Sequence, residues 1–237
     1  MNTQIGATGG RPAHHARRPA FWRQVLAGTA IAILAFCAFA GAASAQASSV
    51  GTLKAELSKT RPDTLVLKWN GTVGAPMAAQ IKREFDRYRG QTRRVVLTIR
   101  SGGGNVAEGE KVIQVLRDIK RTHQLETAVA QGNICGSMCV FIYIQGDIRR
   151  GALTSTWLFH EISQTDPKTG NITKLDRVGW DRLISKYLEP AGVSKAWIAS
   201  IKAEVTKSDI WRTGNDLVQA KSGIITKPLG NHIPRKI

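Results

Sequence analysis

An α/β domain with a parallel sheet is the fold class this sequence predicts, and three observations carry it. Short β-prone runs alternate with amphipathic helical patterns: residues 64–69 read as a strand, Met77, Ile81, Phe85 and Tyr88 recur on one helical face, and residues 95–99 read as a second, fully buried type of strand. The order strand, helix, strand predicts a right-handed parallel crossover. The chain has 237 residues, and what remains behind its N-terminal segment is long enough for one domain with its own core.

That N-terminal segment, residues 1–45, reads as a secretory signal. Arg11, Arg17, Arg18 and Arg23 form a basic start without a single acid, residues 25–40 are apolar, and Ala43-Ser44-Ala45 is a small-residue cleavage site before Gln46. The pair Arg17-Arg18 hints at a twin-arginine signal, but the residues after it fit that pattern poorly. Cys37 lies inside the apolar run behind Phe36, which argues against a lipoprotein site. Left uncleaved, residues 25–43 are just long enough to anchor the protein in an inner membrane. Either way the working domain is expected outside the cytoplasm, in the periplasm.

Residues 46–63 form a polar lead-in with no evident partner, and the domain proper is expected over residues 64–228, with a basic tail over 229–237. Asn70-Gly71 closes the first strand. Pro76 suits the first turn of the helix that follows, and Gly90 its end. Directly after the second strand come Ser101, Gly102, Gly103, Gly104 and Asn105, then a helix with Val112, Ile113, Leu116 and Ile119 on its inner face. Three glycines free the backbone for a tight turn, a phosphate cradle or half of an oxyanion hole. No Gly-Lys-Ser/Thr follows, so a P-loop is excluded, and the GxGxxG spacing of a dinucleotide site is absent. No cofactor and no metal are expected.

A β-prone run over residues 127–130 next meets a turn carrying Gly132 and Asn133, and Ser137 heads the apolar stretch 138–144. Propensity alone would make residues 140–144 a strand, but the turn before them and Gly146 after them leave room only for a buried helix. Ser137 then sits at a strand-to-helix corner, as a nucleophile whose oxyanion would find N–H donors in place, or as a plain helix cap. Cys135 and Cys139 flank it. On a helix their Cα atoms would lie roughly 6 Å apart, near the upper end of disulfide geometry. An oxidising compartment allows a bridge, and two buried free thiols are the alternative.

Residues 154–159 read as a further strand that delivers His160 at its end, within reach of Ser137 as a general base. His123 lies in a very polar segment and His232 in the tail, so both are expected at the surface. The C-terminal part is helical: Trp180, Leu183, Ile184, Tyr187 and Leu188 form an apolar stripe that stops at Pro190, and Ser194 caps a helix carrying Trp197, Ile198, Ile201 and Val205. Asp209 follows, either to orient an imidazole or as an ordinary solvated acid.

Formal net charge is +17, and without the four arginines of the signal 30 basic residues face 17 acidic ones, a formal +13. These charges are scattered, with little aromatic interleaving. That pattern fits solvated helix faces better than a nucleic-acid surface.

The order glycine loop, Ser137, His160, Asp209 resembles the proteolytic subunit of the Clp protease, of the crotonase-like superfamily, from about Leu65 to Ile225. Residues 99–109 look like that family's loop of serine, proline and two glycines, with Gly102 where the proline would stand. The resemblance implies Gly103 as an oxyanion-hole glycine, Ser137 as nucleophile, the N–H of Met138 as second oxyanion donor, His160 as base and Asp209 as acid. Residues 146–150 are similar to its short glycine-to-arginine turn, and residues 220–224 to its closing motif. Cys139 stands where the family has a small residue, and the loop over residues 163–175 is polar where it has a glycine-rich strand for substrate and neighbouring subunits.

The resemblance thus implies a crotonase-like stack of strands and helices with a C-terminal helical arm. It also implies an ATP-independent serine peptidase or hydrolase, acting on peptide or protein, that assembles as a homo-oligomer. The signal separates it from cytoplasmic Clp ATPases. Two other readings stand beside it. One is a binding or assembly module in which Ser137 only caps and a Cys135–Cys139 bridge closes the site. The other is a Ser-Lys peptidase using Lys174 or Lys186.

Overall fold

The computed structural model describes residues 51–166, 168, 169 and 171–229. The signal segment, its arginines, Cys37, the apolar run 25–43, His232 and the tail 230–237 lie outside the described residues.

The centre is a six-stranded sheet in the order β1-β2-β3-β4-β6-β11. Strand β1 (Thr52–Leu57) runs antiparallel to β2 (Thr64–Asn70), and β2 is parallel to β3 (Arg94–Arg100). Beyond β3 come β4 (Gln124–Val129), β6 (Ile148–Ala152) and β11 (Lys227–Leu229), all parallel. Register puts Leu65 beside Val95, Leu67 beside Leu97 and Trp69 beside Ile99, and all six are buried. They alternate with half-buried or exposed partners along β2 and β3, so one face of the pleat is driven inward.

Helices α1 (Met77–Tyr88) and α2 (Val106–Lys120) belong to the same core, and their apolar stripes are the ones the spacing marks: Met77, Ile81 and Phe85, then Val112, Ile113, Leu116 and Ile119. Burying one such side chain stabilises by about 1.5–3 kcal/mol. Asn105 caps α2 by accepting from the N–H of Glu108 at 2.8 Å. The buried Glu108 carboxylate accepts the N–H of Ala78 at 2.9 Å, which ties the starts of both helices together. Helix α1 ends at Tyr88 and passes into a 3-10 turn over Arg89–Gln91 that contains Gly90.

A second, three-stranded sheet has the order β10-β7-β5. It joins β5 (Ile134–Gly136), β7 (Thr156–Phe159) and β10 (Ile210–Thr213). Between β5 and β6 lies α3 (Met138–Tyr143), fully buried, as its apolar run requires. The arm comprises α4 (Arg177–Leu183), a π-helical turn Ile184–Leu188 and α5 (Lys195–Val205), followed after β10 by α6 (Gly214–Gln219). Trp180, Leu183, Ile184, Tyr187 and Leu188 are all buried, and Ser194 caps α5 through the N–H of Trp197.

Four stretches depart from the sequence reading. The lead-in is not without a partner, because residues 52–57 alternate and pair along the whole of β2. Residues 148–152 are a strand where a turn was expected; Arg149 buries its guanidinium by donating to the carbonyls of Ile224, Gly223 and Ala191. The corner at Ser137 is fed by a separate strand, β5, and not by β4. The polar segment 163–175 is no loop: β8 (Ile162–Thr165) and β9 (Ile172–Asp176) pair as an antiparallel hairpin.

One buried acid anchors the main sheet. Glu126 on β4 receives Arg61 at 2.7 Å and Arg150 at 2.8 Å, with Arg94 at 3.5 Å. Burial pushes its carboxyl up, but the hydrogen bonds from Arg61 and Arg150 outweigh it and bring it down to about 2.

Candidate active site

Strand β5 brings Ser137 to its place. It lies parallel to β7, with Cys135 beside Trp157 and Gly136 beside Leu158, and the N–H of Ser137 extends the ladder to the carbonyl of Leu158 at 2.8 Å. There the strand ends, and α3 starts at the next residue. The corner demands φ 52° and ψ −126° of Ser137, a region that costs a residue with a Cβ about 1–3 kcal/mol. Ser137 occupies the capping position of α3, yet its hydroxyl accepts no hydrogen bond from the helix. The plain-cap role is therefore not taken up. The side chain is half-buried and faces a cavity of 570 Å³ that also touches His160, Gly102, Gly104 and the hairpin residues Ile162 and Ser163.

The glycine loop is tied to this corner by backbone. Ser101 donates its N–H to Ile134 and accepts that of Gly136, both at 2.9 Å, so it brackets Cys135. Gly103 has φ +111°, and a Cβ there would stand 2.5 Å from the Cβ of Ser137. Only glycine fits that approach. Its N–H, however, donates to Ser101 Oγ at 3.1 Å, while its carbonyl accepts from Val73 at 2.8 Å. The expected oxyanion donor is thus already engaged inside the loop. The N–H of the next residue, Gly104, has no acceptor among the described residues, and Gly104 lines the Ser137 cavity. The N–H of Met138, at the first position of α3, has none either. Met138 itself is buried against Gly109 of α2, where a Cβ would come within 2.3 Å of its side chain.

Cys135 and Cys139 are joined in a disulfide, and their Cα atoms are 5.3 Å apart. They do not share a helix as the spacing estimate assumed: Cys135 is in β5 and Cys139 in α3. Both are fully buried and neither lines the cavity, so the bridge does not close the site.

His160 directly follows β7 and touches the Ser137 cavity. Strand β10 pairs antiparallel with β7, with Ile210 opposite Phe159, so the same register continued by one residue sets Asp209 across from His160. Both also line a smaller cavity of 170 Å³. The three residues are therefore neighbours along two adjoining cavities, but no hydrogen bond joins Ser137 to His160 or His160 to Asp209. Nδ1 of His160 lies 2.6 Å from the carbonyl of Glu161. A carbonyl only accepts, so Nδ1 carries the hydrogen and Nε2 is left as the acceptor of the neutral ring. Asp209 is exposed.

Sequence reading missed Glu161. It is buried beside His160 and accepts from Arg177 Nε at 2.7 Å. An acid just past a strand end carries no sign that a distant arginine will cover it. Neither alternative lysine lines the Ser137 cavity: Lys174 is exposed on β9, and Lys186 donates to Glu110 at 2.9 Å. His123 is half-buried, its ring set edge-on to Phe85. Among the described residues no group of His, Cys, Asp and Glu could hold a metal ion, and no helix is long and apolar enough to cross a membrane.

No family model matches the chain, and no curated protein matches it. Solved structures do. The ClpP protease catalytic domain from Plasmodium falciparum superposes with a TM-score of 0.54 at 15% identity, over 73% of this chain and 87% of that one. A point mutant of ClpP1 from Listeria monocytogenes superposes at 0.50 and 14% identity, over 72% and 92%. At such identity the likeness is one of architecture, and the architecture is an α/β fold of the ClpP type.

Proposed function

We propose that the protein is a serine hydrolase of the peptidase kind that works without an ATPase. The observation that carries this reading is Ser137: a non-glycine residue at φ 52° whose hydroxyl is not used as a cap and faces a cavity shared with a histidine. Strained backbone at a cavity wall is where function is commonly found. Ser137 Oγ attacks the substrate carbonyl and passes its proton to His160 Nε2, while the N–H groups of Met138 and Gly104 receive the oxyanion. Collapse of the adduct expels the amine, protonated by His160, and water releases the acyl group from Ser137 by the same route in reverse. A rotation of the imidazole must first bring Nε2 to Oγ. Asp209 orients the ring only if the strand ends draw together around a bound chain.

The basic, acid-free start, the apolar run and the small-residue site support export to the periplasm, with membrane anchoring if the signal stays. Ile172, Leu175 and Val178, 62%, 56% and 81% exposed on and just after the hairpin, support self-association. Peptide or protein is the substrate class, and neither a metal nor a cofactor takes part.

The open base side favours a second reading, a binding or assembly module that keeps the fold and lacks the chemistry. Labelling the purified mature domain with a fluorophosphonate decides between them. Covalent labelling that disappears in Ser137→Ala and His160→Ala, with unchanged thermal unfolding, is expected. A wild-type protein that resists the probe overturns the hydrolase reading.

A further inference from the structure

We propose that the Cys135–Cys139 disulfide is a positioning element of the site, holding Ser137 and the N–H of Met138 in working geometry; this rests on the reading of Ser137 as a nucleophile. The ring it closes contains only Gly136, Ser137 and Met138, which carry the hydroxyl and one oxyanion donor. The bridge spans the corner itself, from the last strand before Ser137 to the first turn of helix after it.

The two elements that meet at the corner hold it only weakly by their own hydrogen bonding. Strand β5 has three residues and α3 has six, so neither brings many hydrogen bonds of its own. The unstrained alternative is close at hand. If Ser137 relaxed to extended backbone, its hydroxyl could accept from an N–H in the first turn of α3, as an ordinary cap does. That state withdraws the nucleophile. Reaching it moves Cys139 relative to Cys135, and the covalent bridge forbids the movement.

The bridge can act only through the backbone, since both sulfurs are buried and neither cysteine touches the cavity. Its contribution to global stability is small by comparison, because cross-link stabilisation grows with the length of the closed loop and this loop is short. The effect of losing it is therefore local. Strand β5 keeps its ladder to β7 and its two bonds to Ser101, and the fold survives.

The test compares three preparations of the mature domain: oxidised wild type, wild type reduced with a phosphine, and the double variant Cys135→Ala/Cys139→Ala. The oxidation state of each is read from its mass. Fluorophosphonate labelling is followed over a range of probe concentrations. Expected is a fall of about tenfold to a hundredfold in the maximal labelling rate, with the half-saturating concentration unchanged and the far-UV spectrum native. Re-oxidation of the reduced wild type restores the rate. A maximal rate within about twofold of wild type, in verified dithiol protein or in the double variant, overturns the inference alone. Oxidised wild type that does not label at all overturns the hydrolase reading, and this inference with it.

Discussion

The two sides of the candidate site are built differently. On the serine side, backbone bonds from Ser101, the contact of Gly103 with Ser137, the seat of Met138 on Gly109 and the disulfide all converge on one corner. On the base side, His160 is held by the carbonyl of its own neighbour, Asp209 is exposed, and the adjoining hairpin leaves Ile172 and Leu175 largely in solvent. The geometry around Ser137 is therefore intrinsic to the chain, whereas no hydrogen bond draws His160 or Asp209 up to it. If Ser137 is the nucleophile, changes at its corner and at His160 should be felt strongly and a change at Asp209 little.

The sharpest way to break that contrast is a methyl group on the serine side. Gly103→Ala puts a Cβ 2.5 Å from that of Ser137, at φ +111°. Labelling is expected to fall by about a hundredfold, since a displacement of roughly 1 Å suffices for that. Gly132→Ala is the control: φ is +69° but nothing lies within 4 Å, so only the backbone cost of about 1–2 kcal/mol appears, as a lower melting temperature with unchanged labelling. Equal labelling in both variants would show that the loop does not set the serine.

On the base side the expected effects diverge. His160→Ala removes the one imidazole that lines the Ser137 cavity among the described residues and is expected to cost about 10²–10⁴ in labelling rate. Asp209→Asn is expected to cost less than about tenfold, far below the roughly 10⁴ that a bonded triad acid is worth. No hydrogen bond joins Asp209 to His160, and the carbonyl of Glu161 already selects the tautomer. Comparable losses in the two variants would mean that the triad closes in solution.

Much of this was legible from residue order. The helical stripes of α1, α2 and the arm fall where the spacing of apolar residues puts them, because burial on one face is what that spacing encodes. Histidine is scarce in this sequence, so His160 stood out at a strand end, whereas Ser137 and Asp209 are common residue types singled out only by their place in the order of elements. What escaped depends on contacts between distant segments. Three successive glycines give no sign of which N–H stays free; the hydroxyl of Ser101 decides it by taking that of Gly103. Strand β6 was hidden by Arg149 and Arg150, whose charges are met only once β4 and the C-terminal segments arrive. Strand β1 did carry a readable alternation, in which Leu53 and Ala55 turn inward between exposed neighbours.

The smallest effect on the site is expected from the sheet beneath it. Glu126 is buried, and its arginine partners hold its carboxyl at about 2, against an ordinary value of 4.5. A folded value below the unfolded one means that the ion cluster stabilises fully above pH 4.5 and that this stability drains away as the pH falls towards 2. Thermal unfolding of the wild-type domain should therefore weaken steeply across that window. In Glu126→Gln, which has no proton to gain there, the slope should flatten, although the variant starts less stable because Arg61 and Arg150 lose their partner. Labelling of Ser137 at neutral pH should not change in that variant, because neither the cavity nor the corner touches Glu126. An altered labelling rate in a folded Glu126→Gln protein would show that the corner depends on the sheet's charge network and not only on the loop and bridge around it.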